Sequence, residues 1–223
     1  MTIPLKIDFV SDVSCPWCAI GLGALEKALE HLAGDVTVDL HFQPFELNPG
    51  MPPEGQDMVE HLTQKYGSTP ESQTQAREAI RLRGAGVGFV FHKEGVRRIY
   101  NTFDAHRLLH WADIVTTQPA GLQRALKEAL LQAYFTDGEN PASHEVLLRV
   151  VGKVGLDMDR AREILASDAY ADEVRERERF YQDAGIHAVP AVIINDTHLI
   201  SGGQPVEVFE QALRRIASGK EES

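Results

Sequence analysis

Cys15-Pro16-Trp17-Cys18 is the stretch on which the reading of this 223-residue chain turns, because it holds the chain's only two cysteines. Before it, Leu5, Ile7 and Phe9 alternate with polar residues in Leu5-Lys6-Ile7-Asp8-Phe9-Val10, the period of a strand. After it, Leu22, Leu25, Leu29 and Leu32 recur at three- and four-residue steps, the stripe of an amphipathic helix. The dithiol therefore falls at a strand-to-helix junction. Unpaired backbone N–H groups and the positive end of the helix dipole meet there and favour the thiolate of the first cysteine. Pro16 suits the first helical turn because it has no N–H to leave unpaired. Cys15 is thus the candidate nucleophile. Cys18, one turn on, is the candidate resolving thiol that attacks a mixed disulfide formed at Cys15.

Two plainer readings compete. The pair could be half of a tetrahedral zinc site completed by two of the nine histidines, and His106 and His110 have the helical i, i+4 spacing for it. No second CxxC accompanies the first, which disfavours metal. The cysteines could also be inert core residues, although the intervening proline and the helix-start position argue for chemistry.

The rest of the composition narrows the class. The chain is 43% hydrophobic and 25% charged, the balance of a soluble globular protein. Thirty-three acidic against 22 basic residues leave a net charge of −11, which offers no footprint for nucleic acid or an anionic membrane. No apolar run reaches membrane-spanning length. The N-terminus runs directly into a strand without a signal-peptide core, so a cytoplasmic protein is expected, and with it a redox-active rather than structural pair. A mature exported protein would read the same way.

In chain order, Val36, Val38, Leu40 and Phe42 alternate as a second strand, which makes the opening a parallel βαβ unit. The Pro-rich stretch 44–53 closes it. Helices are expected over 57–66, from Pro70 with Thr69 as N-cap, over 102–113 and 122–135, after the caps Ser143 and Asp157, and from Asp168. Gly84-Ala85-Gly86-Val87-Gly88 reads as an interruption, with Phe89-Val90-Phe91 a candidate extended segment. The charged run from Asp172 to Arg179 reads as a solvated helix face without a functional role. Gly185 stops that helix. Ala191-Val192-Ile193-Ile194 and His198-Leu199-Ile200 read as a hairpin turned at Asn195-Asp196. A last helix follows Pro205, with Val206, Phe209, Leu213 and Ile216 inward, and residues 218–223 are expected to fray.

The order βαβ, helical block, ββα, with a CxxC after the first strand, resembles an α/β thioredoxin fold carrying a large inserted helical domain. The division expected is a discontinuous thioredoxin-like domain of residues 1–50 and 156–223 around an insertion of 51–155. Val189-Pro190, directly before the third strand of that fold, stands where thioredoxin-like proteins carry a cis-proline facing the dithiol. The plainer alternative is a trans proline beginning a strand. Asp12-Val13-Ser14-Cys15-Pro16-Trp17-Cys18 with Gly21, Pro44-Phe45-Glu46-Leu47-Asn48-Pro49, Asn101-Thr102-Phe103-Asp104-Ala105-His106-Arg107, Ala188-Val189-Pro190 and Gly202-Gly203-Gln204-Pro205 are similar to the DsbA family of thioredoxin-like oxidoreductases. The closer match is its cytoplasmic FrnE-like branch of dithiol–disulfide isomerases.

The resemblance implies thiol–disulfide exchange without metal, flavin or nucleotide, on a protein or small-molecule disulfide substrate. It assigns Cys15 the nucleophile's place, Cys18 the resolving thiol's and Pro190 the cis-proline's. The Val189 backbone would pair with an extended substrate. Trp17, in the tuning dipeptide, carries no charge, which implies tuning through packing and a less oxidising pair than DsbA's own. His106 is a candidate thiolate-tuning group if the insertion packs over the dithiol; otherwise it packs with His110 and Trp111 between helices.

Two other function classes stay open. Kappa-type glutathione transferases and 2-hydroxychromene-2-carboxylate isomerases resemble the chain around Asp12-Val13, but carry serine at the place of Cys15 and lack Cys18. Glutathione as co-substrate remains compatible, with Gly203 and Gln204 in the turn before the last helix as candidate contacts. The other class is a peptide-binding or chaperone module that does not use its thiols. Either a monomer or a homodimer fits the sequence.

Overall fold

The computed structural model describes residues 2–115 and 121–219. Strand β1 (Ile3–Ser11), helix α1 (Pro16–His31) and strand β2 (Val36–Pro44) open the chain. β1 and β2 pair in parallel from Ile3 against Val36 to Ser11 against Pro44. A two-residue β3 (Gln56–Asp57) leads into α2 (Met58–Tyr66) and α3 (Pro70–Val87), and β3 pairs with β4 (Arg98–Ile99). The helical block continues through α4 (Phe103–Val115), α5 (Leu122–Phe135), α6 (His144–Lys153), α7 (Met158–Leu165) and α8 (Ala171–Asp183). Strands β5 (Ala191–Ile194) and β6 (His198–Ser201) and helix α9 (Val206–Ala217) close it. The main sheet runs β2-β1-β5-β6, with β1 and β5 antiparallel and β5 and β6 a hairpin. This is the expected α/β thioredoxin-like architecture with helices inserted between its two halves.

β1 is central, so the pleat sends its side chains into two covered layers. Ile7 and Phe9 join Leu22, Leu25, Phe209 and Leu213 in the core against α1 and α9, where the Phe9 and Phe42 rings lie 5.7 Å apart. Val10 faces the other way, onto Phe45, Tyr181 and Ile186. The hairpin turns because Asn195 (φ 51°) and Asp196 (φ 59°) both adopt the left-handed conformation that a two-residue turn requires. Asn195 also accepts the Lys6 N–H at 3.0 Å, fixing the turn to β1.

The helices form a second core. Leu108, Trp111, Leu126, Leu130, Val150 and Ile164 pack together, and Val13, from the turn before the dithiol, belongs to the same cluster. The expected boundary at residue 156 falls between α6 and α7, and the core shared by Val150 and Ile164 runs across it. Gln123 ties this block to the open edge of β2: its side chain accepts the Phe42 N–H (2.9 Å) and donates to the carbonyls of Phe42 (3.0 Å) and Leu109 (3.2 Å). The amide thus stands in for a neighbouring strand.

Three local expectations are corrected. The glycines after residue 83 do not interrupt α3, which continues to Val87 and ends at Gly88 (φ 87°). Gly84 is a packing residue, since a Cβ there would lie 2.5 Å from the Phe91 ring. Phe89-Val90-Phe91 is irregular rather than a strand, and Phe91 packs between Phe89 and Phe135 at 4.8 and 5.3 Å. The charged run of α8 is not wholly solvated: Glu178 is buried, and Arg175 binds both Glu178 (2.7 Å) and the buried Glu46 while stacking 3.8 Å over the Phe103 ring. A run of charges has no helical apolar period to announce burial, so the tertiary pairing was not readable from it.

The caps follow the sequence closely. Thr69 forms a reciprocal capping box with Ser72, and Asp57 and Asp157 each accept two amides of the first turn. Ser143 precedes α6 without a side-chain bond. The expected fraying of 218–223 lies, beyond Gly219, outside the described residues.

Candidate active site at the start of the first long helix

Asp12, Val13 and Ser14 carry the chain from β1 into α1, and the turn is built by Asp12. Its carbonyl accepts the Cys15 N–H at 3.3 Å, and its Oδ1 accepts the Ser14 N–H at 3.1 Å. Oδ2 accepts the Leu47 N–H at 2.7 Å, joining this turn to the one that leaves β2. Cys15 then takes the N-cap position with extended backbone, and Pro16 begins the helix.

As N-cap, Cys15 offers sulfur where other helices offer oxygen: its Sγ accepts the Cys18 N–H at 3.3 Å. No acidic residue lies in the first turn of α1, so nothing there opposes the helix dipole. On its other side the Cys15 Sγ lies 3.6 Å from the Val189 carbonyl oxygen, to which a protonated thiol donates. Both cysteines are free thiols. Cys15 retains 3% exposure and Cys18 none, so Cys15 is the more accessible of the two. Burial raises the Cys18 thiol well above the usual cysteine range, and the adjacent Cys15 sulfur adds to the rise.

The peptide bond between Val189 and Pro190 is cis. The Pro190 carbonyl accepts the Gly202 N–H at 2.8 Å, and the loop after β6 thereby lies against α1. Two glycines permit the approach. A Cβ on Gly21 would stand 3.1 Å from Pro190 Cγ, and one on Gly203 would stand 2.9 Å from the Trp17 carbonyl oxygen. Trp17 is half-buried, with the Arg83 guanidinium 5.2 Å from its ring centre. The structure thus brings Cys15, Cys18, Trp17, Val189, Pro190 and Gly203 together. Gln204 is beside them, with its side-chain amide donating to the Ser201 carbonyl at 2.8 Å.

His106 is placed differently from the thiolate-tuning expectation. It is buried and faces Asp12, with Nε2 at 3.6 Å from Oδ1, an ion-pair rather than hydrogen-bond distance. Burial of Asp12 would raise its acid form, but His106 and the Leu47 and Ser14 amides overcome this and hold it down to about 2. His106 therefore bears on the dithiol through the turn that presents it. His110 goes elsewhere, stacking 5.6 Å from Tyr170. Among the described residues, no group of three or more histidines, cysteines or acids could hold a metal ion.

Sequence reading passed over two buried groups at this site. Asp12 stands in the sequence as one residue of a motif, although an aspartate three residues before a helix-capping cysteine is a recognisable turn-builder. Lys127, on α5, is wholly buried, and its charge interacts with Cys18, Asp12 and Cys15. A lysine in a helix gives no sequence signal of burial.

A four-stranded mixed sheet, a free dithiol at the start of its first helix and a cis Val189–Pro190 bond whose Val189 carbonyl faces Cys15 Sγ define a thioredoxin-like fold. Residues 6–214 match the DSBA-like thioredoxin domain, and the chain belongs to that family. A probable DsbA oxidoreductase from Streptomyces coelicolor is 33% identical, with a TM-score of 0.85 over 98% of this chain and 92% of that one. YwbO of Bacillus subtilis, described as uncharacterised, is 28% identical over 214 residues, 96% of each chain. The fold is shared with DsbM, a cytosolic disulfide reductase of Pseudomonas aeruginosa solved with GSH, at 16% identity and a TM-score of 0.65 over 96% and 99% of the two chains. Among the described residues no helix is long and apolar enough to cross a membrane.

Proposed function

We propose that this protein catalyses thiol–disulfide exchange, with Cys15 as the attacking thiol and Cys18 as the resolving one. The observation that carries the reading is the placement of Cys15 Sγ, which accepts an N–H at the start of α1 and lies 3.6 Å from the Val189 carbonyl. A sulfur so held has a backbone N–H directed at it and stands at an edge where an extended chain can pair. Cys15 attacks a substrate disulfide and one substrate sulfur leaves as thiol. Cys18 then attacks Cys15 Sγ, releasing the second substrate thiol and closing the Cys15–Cys18 disulfide. Run in reverse, the disulfide oxidises a substrate dithiol, and reduction after mispairing gives isomerisation.

In this reading Val189 and Pro190 border the substrate's backbone and Trp17 covers one side of the cleft. Residues 1–50 and 156–223 supply the chemistry, and the inserted 51–155 cover it. No bound cofactor is required because the dithiol itself carries the electrons. A cytoplasmic setting, with glutathione as reductant, draws support from the description of DsbM as cytosolic and from its structure with GSH. Gly203 and Gln204, next to Trp17, are the residues proposed to meet glutathione.

The test is a redox titration in glutathione buffers, with alkylation and mass measurement of Cys15 and Cys18. A reversible two-electron transition is expected, together with a stable Cys15 mixed disulfide in Cys18→Ser. A wild-type protein that accumulates glutathione on Cys15 without closing the internal disulfide would instead favour a glutathione-dependent transferase or isomerase. Retention of all substrate protection by Cys15→Ser/Cys18→Ser would favour a peptide-binding module.

A further inference from the structure

Lys127 is wholly buried, and its Nζ has no hydrogen-bond partner among the described residues. It shares one face of α5 with Leu131 and Tyr134, four and seven positions on. Those two pack in the same cluster as Cys15 and Cys18. A leucine or methionine would fill this position without the cost of enclosing an amine that bonds to nothing. The amine therefore calls for an electrostatic partner, and the charges it feels are those of Cys18, Asp12 and Cys15, in that order. Asp12 already receives the Leu47 and Ser14 amides and faces His106. Cys18 is left as the group whose buried anion lacks a full charge beside it. Burial opposes the Cys18 thiolate, while Lys127 and the Asp12 backbone amide favour it.

We propose that Lys127 is the positioning residue of the resolving step, its ammonium being the counter-charge against which the buried Cys18 thiol ionises. The proposal rests on the exchange reading of Cys15 and Cys18. In the mixed disulfide, Cys18 gives up its proton to solvent and becomes a thiolate opposite the Lys127 ammonium. Its electron pair forms the bond to Cys15 Sγ, and the bond from Cys15 to the substrate sulfur breaks. The substrate leaves as thiolate and takes a proton back from solvent. The cysteine pair is oxidised, the substrate sulfur is reduced, and the total of protons is unchanged.

A thiolate can stand near Lys127 only while the two cysteines are reduced, so closure of the Cys15–Cys18 disulfide leaves Asp12 as its anionic neighbour and its proton affinity falls. Burial already lowers that affinity, so the lysine titrates below the usual lysine range. The charges it feels are Cys18 in the first turn of α1, Asp12 of the preceding turn and Cys15 at the N-cap, with His106 of α4 paired to Asp12 and Tyr134 on the same face of α5. Only the two thiols change with redox state.

The experiment is closure of the internal disulfide after excess glutathione disulfide is mixed with reduced Lys127→Met, quenched with acid and read by mass. Closure is expected about tenfold slower than in wild type at pH 7, the effect of one unit in the Cys18 thiol, with the pH–rate midpoint moved upward. An unchanged rate and midpoint overturn the proposal. A wild type that never closes the disulfide overturns the exchange reading itself and this proposal with it. Should Lys127→Met fail to fold, the wild type labelled with 13Cε-lysine decides. A lower Lys127 titration midpoint in the oxidised than in the reduced protein is expected, and equal midpoints overturn the proposal.

Discussion

His106 Nε2 and Asp12 Oδ1 stand 3.6 Å apart with both side chains almost fully enclosed. One comes from α4 of the helical block, the other from the turn that presents the dithiol. A polar pair closed off from water is costly to break by removing one partner, because the buried Asp12 carboxylate is left uncompensated. The contact therefore locks the covering helices to the reactive turn and gives the joint a pH dependence.

Asp12 is held down to about 2 against an ordinary value of 3.8, burial opposing and His106 with two amides prevailing. A depressed carboxylate contributes its stability in full above 3.8 and loses it as pH falls through about 2. Asp12→Asn should destabilise the protein by about 3 kcal/mol at neutral pH. Urea denaturation between pH 5 and 2 should show wild type losing stability more steeply than the variant, and parallel curves would remove Asp12 from this role.

Cys18 should resist alkylation where Cys15 does not. Burial and the neighbouring sulfur keep Cys18 protonated above the usual 9.0 of a thiol. In Cys15→Ser, where burial remains, iodoacetamide should label Cys18 only as pH rises past that value, or on unfolding. Labelling at pH 7 as fast as in Cys18→Ser, which retains Cys15, would contradict the enclosed geometry.

Gly203→Ala should cost more than Gly21→Ala. The first substitution brings a methyl to 2.9 Å from the Trp17 backbone oxygen, whereas the second meets the Pro190 ring at 3.1 Å. Backbone cannot yield as a ring can, so a loss of about 2 kcal/mol is expected for Gly203→Ala. Thermal melting measures it. A larger fall for Gly21→Ala would reverse the assignment of the tighter contact.

Arg107 closes the end of α7. Its guanidinium donates to the carbonyls of Ile164, Ser167 and Ala169 and to Asp104 of its own helix. Arg107→Met should leave carbonyls unbonded and lower stability by about 3 kcal/mol without changing Cys15 reactivity. A variant with unaltered denaturation midpoint would show that water replaces the arginine.

Glu26 sits beside Glu128 and Arg124, and burial followed by the Glu128 contact lifts its acid form to about 7. A carboxyl raised on folding is most favourable below its unfolded value of 4.5 and costs stability as pH rises through about 7. Glu26→Gln should therefore raise the melting temperature more at pH 8 than at pH 5, measured by calorimetry. An equal shift at both values would place the deprotonated carboxylate at no disadvantage.

Local patterns by themselves determined the four strands of the main sheet, most helix bounds and the seat of the dithiol, but not the two-residue β3 and β4. Alternation in β1, the leucine stripe of α1, the Thr69 and Asp157 caps and the Asn195-Asp196 turn all act within a few residues, and each was legible for that reason. Cys15 at a helix start belongs with them. Only the tertiary structure decided what surrounds it. That His106 meets Asp12, that Lys127 is sealed from water and that Arg175 reaches the buried Glu46 depend on residues far apart in the chain. A charged side chain reads as exposed because water is its cheapest solvent, and only packing by distant segments can exclude that water.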